Sequence, residues 1–237
     1  MLPVSSSAHL TLLPWLRSWP VEPGRTTLAA GLHAGSCVGI CWALRGELAA
    51  LPRTAGGRRT LALVAATTVP AAAAGWLAAD AVEDRLGAPG QVAGLLAGAG
   101  VLLALADRRP QRHPVGPREA ALAAVAQVLA LAPGVSRGGA TTTALRAAGV
   151  GREDAVRFSL LMSLPISAGA AGLTLVRADR DLLRRLGPAL AAGAPAAALA
   201  AALAVTRVPA AVLGPAAVYR LVLAATVAHR LRAKGPA

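Results

Sequence analysis

Residues 119–149 read EAALAAVAQVLALAPGVSRGGATTTALRAAG. An apolar helix over 119–132 stops at Pro133 and Gly134, and a second helix, rich in alanine and threonine, then runs to Ala148. Irregular backbone at membrane depth is tolerated only where protein buries it or where it lines a wet cavity. This helix, polar break and second helix are typical of a re-entrant element.

The rest of the chain has the composition of an integral membrane protein. Hydrophobic residues make up 55 % of it and charged residues only 15 %, whereas a soluble domain carries about 25 % charged residues. Long apolar stretches alternate with short arginine-rich connectors, as a bilayer requires. We expect six membrane-crossing helices, at 28–44, 61–79, 91–106, 155–176, 186–205 and 213–228. The predicted fold is therefore a single all-α, multi-pass membrane domain over 1–237.

The polar break at 132–136 has a counterpart at 2–6, where an apolar residue is also followed by proline and then serine. Paired interrupted segments of this kind indicate an inverted repeat with the functional site between the two breaks. We therefore predict two re-entrant helical elements, one near each break, in addition to the six spans.

Connector charges indicate how the chain is oriented. The connectors 45–60 and 107–118 each carry four arginines, whereas 80–90 is net acidic. The positive-inside rule places the first two in the cytoplasm and the third outside. If 119–149 is re-entrant, the basic C-terminal tail lies outside, against the rule; a full crossing by 119–149 would remove that conflict.

The net charge of +13 raises the alternative of a nucleic-acid-binding protein. Such proteins gather basic residues on one face and often interleave aromatic residues for stacking. Here the arginines lie in connectors, and the chain has one Phe and one Tyr. Attraction to anionic lipid explains the charge more simply, so we expect membrane lipids and no nucleic acid as partners.

The polar motif at 133–141 has the features of a phosphate site. Pro133 ends one helix, while Gly138 and Gly139 allow the backbone of the next helix to approach a ligand closely. A helix N-terminus favours phosphate through its N–H groups and its dipole, and Arg137 can grip phosphate oxygens in a bidentate manner. Hydroxyl donors follow the same pattern, at Ser136, Thr141 and Thr142. The alternative is a capped helix start whose arginine snorkels to water.

The polar motif at 3–9 brings serines close to a histidine. On a helix, Ser5 and Ser6 lie four and three residues before His9, so either hydroxyl can approach the imidazole. That arrangement suits a hydroxyl nucleophile with a general base, or a histidine that protonates a leaving phosphate oxygen. The alternative is a serine-capped helix with an incidental histidine at the membrane interface.

Other polar residues are weaker candidates. His33 lies inside the first span, where packing and a site-lining role are equally plausible. Arg220, in the last span, is expected to pair with another group or to snorkel. Cys37 and Cys41 are expected to be small buried residues, because no further cysteine or suitably spaced histidine completes a zinc site.

Several of these segments resemble one known family. Residues 2–9, LPVSSSAH, are similar to the pattern LP(V/I)SS(T/S)GH, and residues 132–141, APGVSRGGAT, are similar to PGxSRSGAT. Residues 32–36, LHAGS, resemble LHxG(T/S), and the stretches 127–131 and 157–165 also match. The patterns are those of the undecaprenyl-diphosphatase family, the bacitracin-resistance proteins of the bacterial plasma membrane. The likeness extends over nearly the whole chain.

This resemblance implies a function and a set of site residues. The function is hydrolysis of undecaprenyl diphosphate to the monophosphate and phosphate, which recycles the lipid carrier of cell-wall synthesis. By position, Ser6 is the expected nucleophile, His9 the proton-transfer residue and Arg137 the residue that stabilises the transferred charge. The expected diphosphate-binding residues are Ser5, Ser7, Ser136, Gly138, Gly139 and Thr141.

The chain departs from the family pattern in three places. The family has two glutamates, E-x-x-x-E, just upstream of its first motif, and the nearer one would fall immediately before Met1. They are the expected ligands or acid–base groups for a divalent cation, magnesium or calcium, so this chain offers no metal ligands. We interpret this as a start assigned too late. Ala8 also replaces a glycine, and Gly138 replaces a serine.

Two alternatives to a phosphatase remain open at this level. Inverted repeats with broken helices are a common transporter plan, so a transporter or flippase of the polyprenyl phosphate carrier is the first. The second is an inactive homologue that lacks half of its first re-entrant element. A homodimer is the protein partner considered.

Overall fold

The computed structural model describes residues 3–20, 24–111 and 113–234, apart from the side chains of 79, 80, 83 and 234. Within these residues the fold is helical, and the one β-type contact is an isolated parallel bridge between His113 and Val150. The α-helices are α1 (Ser6–Arg17), α2 (Arg25–Ala43), α3 (Arg45–Ala50), α4 (Ala55–Leu86), α5 (Pro89–Asp107), α6 (Pro117–Leu129), α7 (Arg137–Ala147), α8 (Arg152–Arg177), α9 (Arg180–Arg207) and α10 (Leu213–Lys234). The predicted all-α membrane class is confirmed.

The membrane spans follow the predicted apolar stretches. Among the described residues, five helical segments are long and apolar enough to cross a bilayer, at 55–78, 89–107, 152–177, 180–207 and 210–233. The expected span at 28–44 instead belongs to a bent pair, Arg25–Ala43 and Arg45–Arg53, whose axes differ by 69°. Arg45 at this bend lies over the ring of Trp42, 4.7 Å from its centroid. A cation on an aromatic ring is typical of a membrane boundary, where the chain turns along the surface.

Contacts divide the described chain into two compact units: 24–66 with 160–208, and 3–20 with 67–111, 113–159 and 209–234. In the first unit, α2 lies directly against α9. Side-chain atoms added at Gly35 and Gly39 would overlap the carbonyl groups of Ala194 and Ala198, respectively. Glycine therefore allows the two backbones to touch, the usual device for helix packing in membranes. Because the contacting numbers rise together, α2 and α9 run parallel.

In the second unit, α5 packs against α10 with α1 across both. Gly90 faces Leu231, and Gly100 faces Arg220. The numbers run in opposite directions, so α5 and α10 are antiparallel. Ala8 and Leu12 of α1 are fully buried in a core formed with α5 and α10. This packing places the first turn of α1 beside the middle of α10.

Residues 119–149 form a hairpin within the second unit. Helices α6 and α7 pack against each other, and the bridge between His113 and Val150 joins the residues just before and just after the pair. Arg146, near the end of α7, donates from Nη2 to the carbonyls of Asp107 (3.0 Å) and Arg109 (2.7 Å). Both ends of the element therefore lie together, as a re-entrant element requires.

The directions of the helices also indicate that 119–149 is re-entrant. If 119–149 turns back, α9 is four crossings after α2 and must run parallel to it, while α10 is three crossings after α5 and must be antiparallel to it. Both relations are observed. A full crossing by 119–149 would reverse both of them. The conflict with the positive-inside rule therefore stands: Arg230 and Arg232 lie at the same end of the bundle as the acidic connector 80–90.

Candidate active site

Helices α1 and α7 begin in the same way. Ser5 caps α1 by accepting a hydrogen bond at Oγ from the Ala8 amide (3.3 Å), and Ser136 caps α7 by accepting one from the Gly139 amide (3.3 Å). Both serines have left-handed backbone, with φ of 67° and 69°. The likeness between the two breaks therefore extends to backbone conformation.

This conformation is unusual. Among the described residues, Ser18 is the only other residue besides glycine with positive φ. The left-handed region costs about 1–2 kcal/mol for a residue with a Cβ, and such strain is concentrated at functional sites. Its presence at both caps indicates that the two helix starts are held in place for a purpose other than stability.

Arg220 lies between the two caps, in the middle of α10. Its side chain is fully buried, and its Nε donates to the carbonyl of Pro3 (2.5 Å), two residues before the first cap. Its guanidinium also lies against Gly139 in the first turn of α7, where a Cβ atom would come 2.9 Å from Cζ. One side chain therefore contacts both helix starts.

The two terminal nitrogens of Arg220, Nη1 and Nη2, are buried without a hydrogen-bond partner. Of the two expected roles of Arg220, snorkelling was wrong, because the side chain is buried; it does pair with another group, through one hydrogen bond from Nε to the Pro3 carbonyl. A buried charge without a partner typically costs several kcal/mol. Intramembrane ionisable groups in this state mark functional sites.

The electrostatics of this region favour an anion. The guanidinium has only donors, and the N-termini of α1 and α7 add the positive ends of two helix dipoles. A phosphate group carries only acceptors at its ionised oxygens and can satisfy several such donors at once. The arrangement therefore suits a phosphate group.

His9, on the second turn of α1, uses both ring nitrogens. Its Nδ1 is 2.6 Å from the Ser5 carbonyl oxygen, and its Nε2 is 2.5 Å from the Tyr219 hydroxyl. The two rings lie nearly parallel, with their planes 4° apart. The hydroxyl at Nε2 is thus that of Tyr219, whereas the sequence predicts a serine there.

The three serines of the first motif differ in exposure. Ser5 is buried and its Oγ is 3.2 Å from Ser7 Oγ. Ser6 and Ser7, in the first turn of α1, are exposed. A ligand at the helix start therefore has access to the hydroxyls of Ser6 and Ser7, while Ser5 acts mainly as the cap.

Ser159 of α8 forms hydrogen bonds with the motif at 133–141. Thr141 Oγ1 donates to the Arg137 carbonyl (2.9 Å) and lies 2.6 Å from Ser159 Oγ, which is itself 3.3 Å from the Gly138 carbonyl. Thr141 therefore holds the first turn of α7. Arg137 is the first residue of α7 and is half-buried.

The family model "Bacitracin resistance protein BacA" matches residues 1–226. The chain belongs to this family.

Relatives with the curated name undecaprenyl-diphosphatase agree with this assignment. That of Geobacter sulfurreducens is 44 % identical over 190 residues, which is 74 % of this chain and 70 % of the relative. That of Geobacter metallireducens is 42 % identical over 186 residues, 72 % of this chain and 68 % of the relative. That of Gemmatimonas aurantiaca is 38 % identical over 196 residues, 76 % of this chain and 72 % of the relative.

A divalent cation does not fit the groups gathered here. Magnesium and calcium prefer carboxylate and carbonyl oxygens, whereas the side chains gathered here are hydroxyls, the Arg220 guanidinium and an imidazole whose nitrogens are both engaged. Across the described residues no group of three or more His, Cys, Asp or Glu side chains could hold a metal ion. The groups in the described part of this BacA-family site therefore suit an anion better than a divalent cation.

The remaining sequence candidates lie elsewhere in the described chain. His33 is a half-buried residue of α2, Cys37 is buried and Cys41 is exposed. The expectation of a buried cysteine was thus wrong for Cys41, which lies on an outer face of α2. The sequence ranked Arg220 only as a weak candidate, although an ionisable residue in the middle of an apolar span is a signal of function, and it missed Tyr219.

Proposed function

We propose that this member of the BacA family is an undecaprenyl-diphosphate phosphatase of the bacterial plasma membrane. It hydrolyses the lipid diphosphate to undecaprenyl phosphate and phosphate. The observation that supports this most strongly is the buried Arg220 guanidinium, whose Nη1 and Nη2 atoms have no protein partner between two helix N-termini. The curated relatives supply the substrate, because they are named for it.

The depth of the site suits a lipid substrate. Arg220 lies near the centre of the candidate span 210–233. A soluble phosphate ester would have no reason to be bound at that depth, whereas a polyprenyl chain can remain among membrane helices while its diphosphate reaches the polar site. Helix starts facing each other at the middle of the bilayer are also how membrane proteins bind anionic groups.

Hydrolysis needs a nucleophile, a base and charge stabilisation. Ser6, exposed in the first turn of α1, attacks the terminal phosphorus, and His9 receives its proton. Arg137 and Arg220 neutralise the charge on the phosphoryl oxygens, and the electron pair of the broken bond stays on undecaprenyl phosphate. Water then attacks the phosphorus of the phosphoserine, Ser6 Oγ leaves and takes back its proton from His9, and inorganic phosphate is released. Ser7, Ser136, Gly138 and Gly139 surround the diphosphate, with Ser5 and Thr141 holding the two helix starts.

Partners and cofactor remain predictions. Membrane lipids surround the spans, and a homodimer is the expected oligomer. A divalent cation, magnesium or calcium, would require carboxylates that the described site lacks, so no step of this mechanism uses one.

A transporter or flippase of the carrier phosphate is the competing function. The broken helical element formed by α6 and α7 supports that reading, because many transporters bind substrate at such breaks. A phosphatase releases inorganic phosphate, whereas a transporter or flippase does not.

The test is phosphate release from undecaprenyl diphosphate by protein purified in detergent. Arg137→Ala is expected to lower release by about 10²-fold or more, since it removes a group that stabilises the transferred charge. Arg184→Ala is the matched control, because Arg184 is exposed and pairs only with Asp181 on its own helix. Absence of release, both from residues 1–237 and from a chain extended at its N-terminus by the upstream in-frame codons, would exclude the phosphatase.

A further inference from the structure

Tyr219 is the only tyrosine of the chain, and its hydroxyl is 2.5 Å from Nε2 of His9. The residue is 42 % exposed. It immediately precedes Arg220, whose guanidinium reaches the Pro3 carbonyl on the same side of α1. Two consecutive residues of α10 therefore contact the start of α1, and the proposed roles of the neighbouring groups assign nothing to Tyr219.

The contacts of His9 fix its neutral tautomer. The Ser5 carbonyl, 2.6 Å from Nδ1, can only accept a hydrogen bond, so Nδ1 carries the hydrogen. In the neutral ring Nε2 is then the acceptor, and the Tyr219 hydroxyl donates to it. The basic nitrogen of His9 is thus covered by the tyrosine hydroxyl.

A covered Nε2 cannot take a proton directly from a nucleophile. The other ring nitrogen is occupied by the Ser5 carbonyl, so it offers no second route. The Tyr219 oxygen, however, keeps a lone pair that can accept a hydrogen bond while its O–H donates to His9. We infer that Tyr219 relays the proton from the nucleophile to His9; this rests on the proposed phosphatase function.

The relay moves two protons in one step. As the nucleophile oxygen forms its bond to the terminal phosphorus, its proton passes to the Tyr219 oxygen, and the Tyr219 proton passes to Nε2. The phosphoanhydride bond breaks, and its electron pair stays on the oxygen of undecaprenyl phosphate. Tyr219 is neutral before and after, and His9 becomes an imidazolium whose Nδ1–H remains bonded to the Ser5 carbonyl.

Tyr219→Phe distinguishes proton transfer through Tyr219 from direct proton transfer between the nucleophile and His9. If Tyr219 relays the proton, kcat falls by about 10²-fold, the size of a typical acid–base contribution, and KM changes little because the hydroxyl does not bind the diphosphate. If His9 acts directly, removing the hydroxyl uncovers Nε2, and kcat is kept or rises. That second result would overturn the inference.

Thr226→Val is the matched control. Thr226 lies two turns further along α10, is exposed, and bonds only to the Val222 carbonyl of its own helix (2.9 Å). It removes one hydroxyl from the same helix without touching His9, so its kcat should equal that of the wild type. A similar loss in both variants would mean that α10 is merely sensitive to substitution and would overturn the relay.

Two further measurements test the relay and the contact between Tyr219 and His9 on which it depends. When kcat is plotted against the fraction of heavy water in the solvent, two protons in flight should give a curve. Transfer of a single proton gives a straight line. Protein labelled with 3-fluorotyrosine has one ¹⁹F resonance, which should shift on His9→Gln and stay in place for Thr226→Val. A straight line for the wild type or an unmoved resonance contradicts the relay. Absence of phosphate release by the wild type contradicts instead the phosphatase function on which the relay rests.

Discussion

The guanidinium of Arg220 occupies the volume that a side chain at Gly139 would need. A Cβ atom on Gly139 would overlap Nη2 and lie 2.9 Å from Cζ. Glycine at this position is therefore required by a residue 81 positions further along the chain. The neighbouring Gly138 differs, because the nearest atom to its Cβ would be Ser159 Oγ at 3.9 Å.

Substitution by alanine should lower phosphate release at Gly139 and leave it unchanged at Gly138. Gly139→Ala forces the guanidinium away from the helix start, and a shift of about 1 Å at a catalytic group can lower the rate by about 10²-fold. Gly138→Ala and Gly138→Ser fit the open space and should keep phosphate release near the wild-type rate. Release assays on the three purified variants check this; equal losses at both positions would contradict the placement of Arg220.

Arg220→Met should separate stability from activity. It replaces a buried charge without an anion partner by an apolar side chain of similar length, a change that is often neutral or stabilising by about 1–4 kcal/mol. Phosphate release should fall by about 10²-fold or more, because a group that stabilises transferred charge is lost. Thermal unfolding in detergent and release assays measure the two effects. A strongly lowered unfolding temperature would mean that Arg220 has a structural role.

The hairpin formed by α6 and α7 makes a prediction about sidedness. In a background with Cys37→Ala and Cys41→Ala, single cysteines at Gln111 and Glu153 should be labelled by a membrane-impermeant maleimide from the same side of the membrane. The reason is that the bridge between His113 and Val150 joins the two ends of the element. Labelling from opposite sides would mean that 119–149 crosses the bilayer.

Ser18→Gly should stabilise the fold. Ser18 ends α1 with left-handed backbone, φ 53° and ψ 34°, a position where glycine avoids the cost of a Cβ. The gain is expected to be up to about 1 kcal/mol, reduced by the loss of an exposed hydrogen bond from Arg230 (3.3 Å). Thermal unfolding measures it, and activity should be unchanged. Ser18→Ala, which keeps the Cβ, is the control and should show no gain.

The fold was largely predictable because a bilayer enforces long apolar stretches. The helix pair at 119–149 could be predicted as well, since proline and glycine interrupt an otherwise apolar run. Its re-entrant nature could not be settled from charges, because Arg230 and Arg232 do not follow the rule. The directions of α9 and α10 resolved it, and those depend on packing that only three-dimensional structure shows.

The site was predictable where residues are neighbours in sequence. Ser136 and Arg137 follow a helix break, and that local pattern indicates an anion site. The partner of His9 is different, since Tyr219 comes from a helix 210 residues away. Spacing rules for a helix predicted a serine hydroxyl near the imidazole, but in the structure His9 bonds to the Ser5 carbonyl and to a distant tyrosine. Contacts between remote segments leave no local signal of this kind.

The hydrogen bond between Arg220 and the Pro3 carbonyl also has a meaning for biosynthesis. During translation Arg220 is added 217 residues after Pro3. The site is therefore assembled only after α10 has entered the bilayer. A nascent or prematurely terminated chain carries both serine caps but lacks the cation between them, so it remains catalytically silent while it is still being inserted.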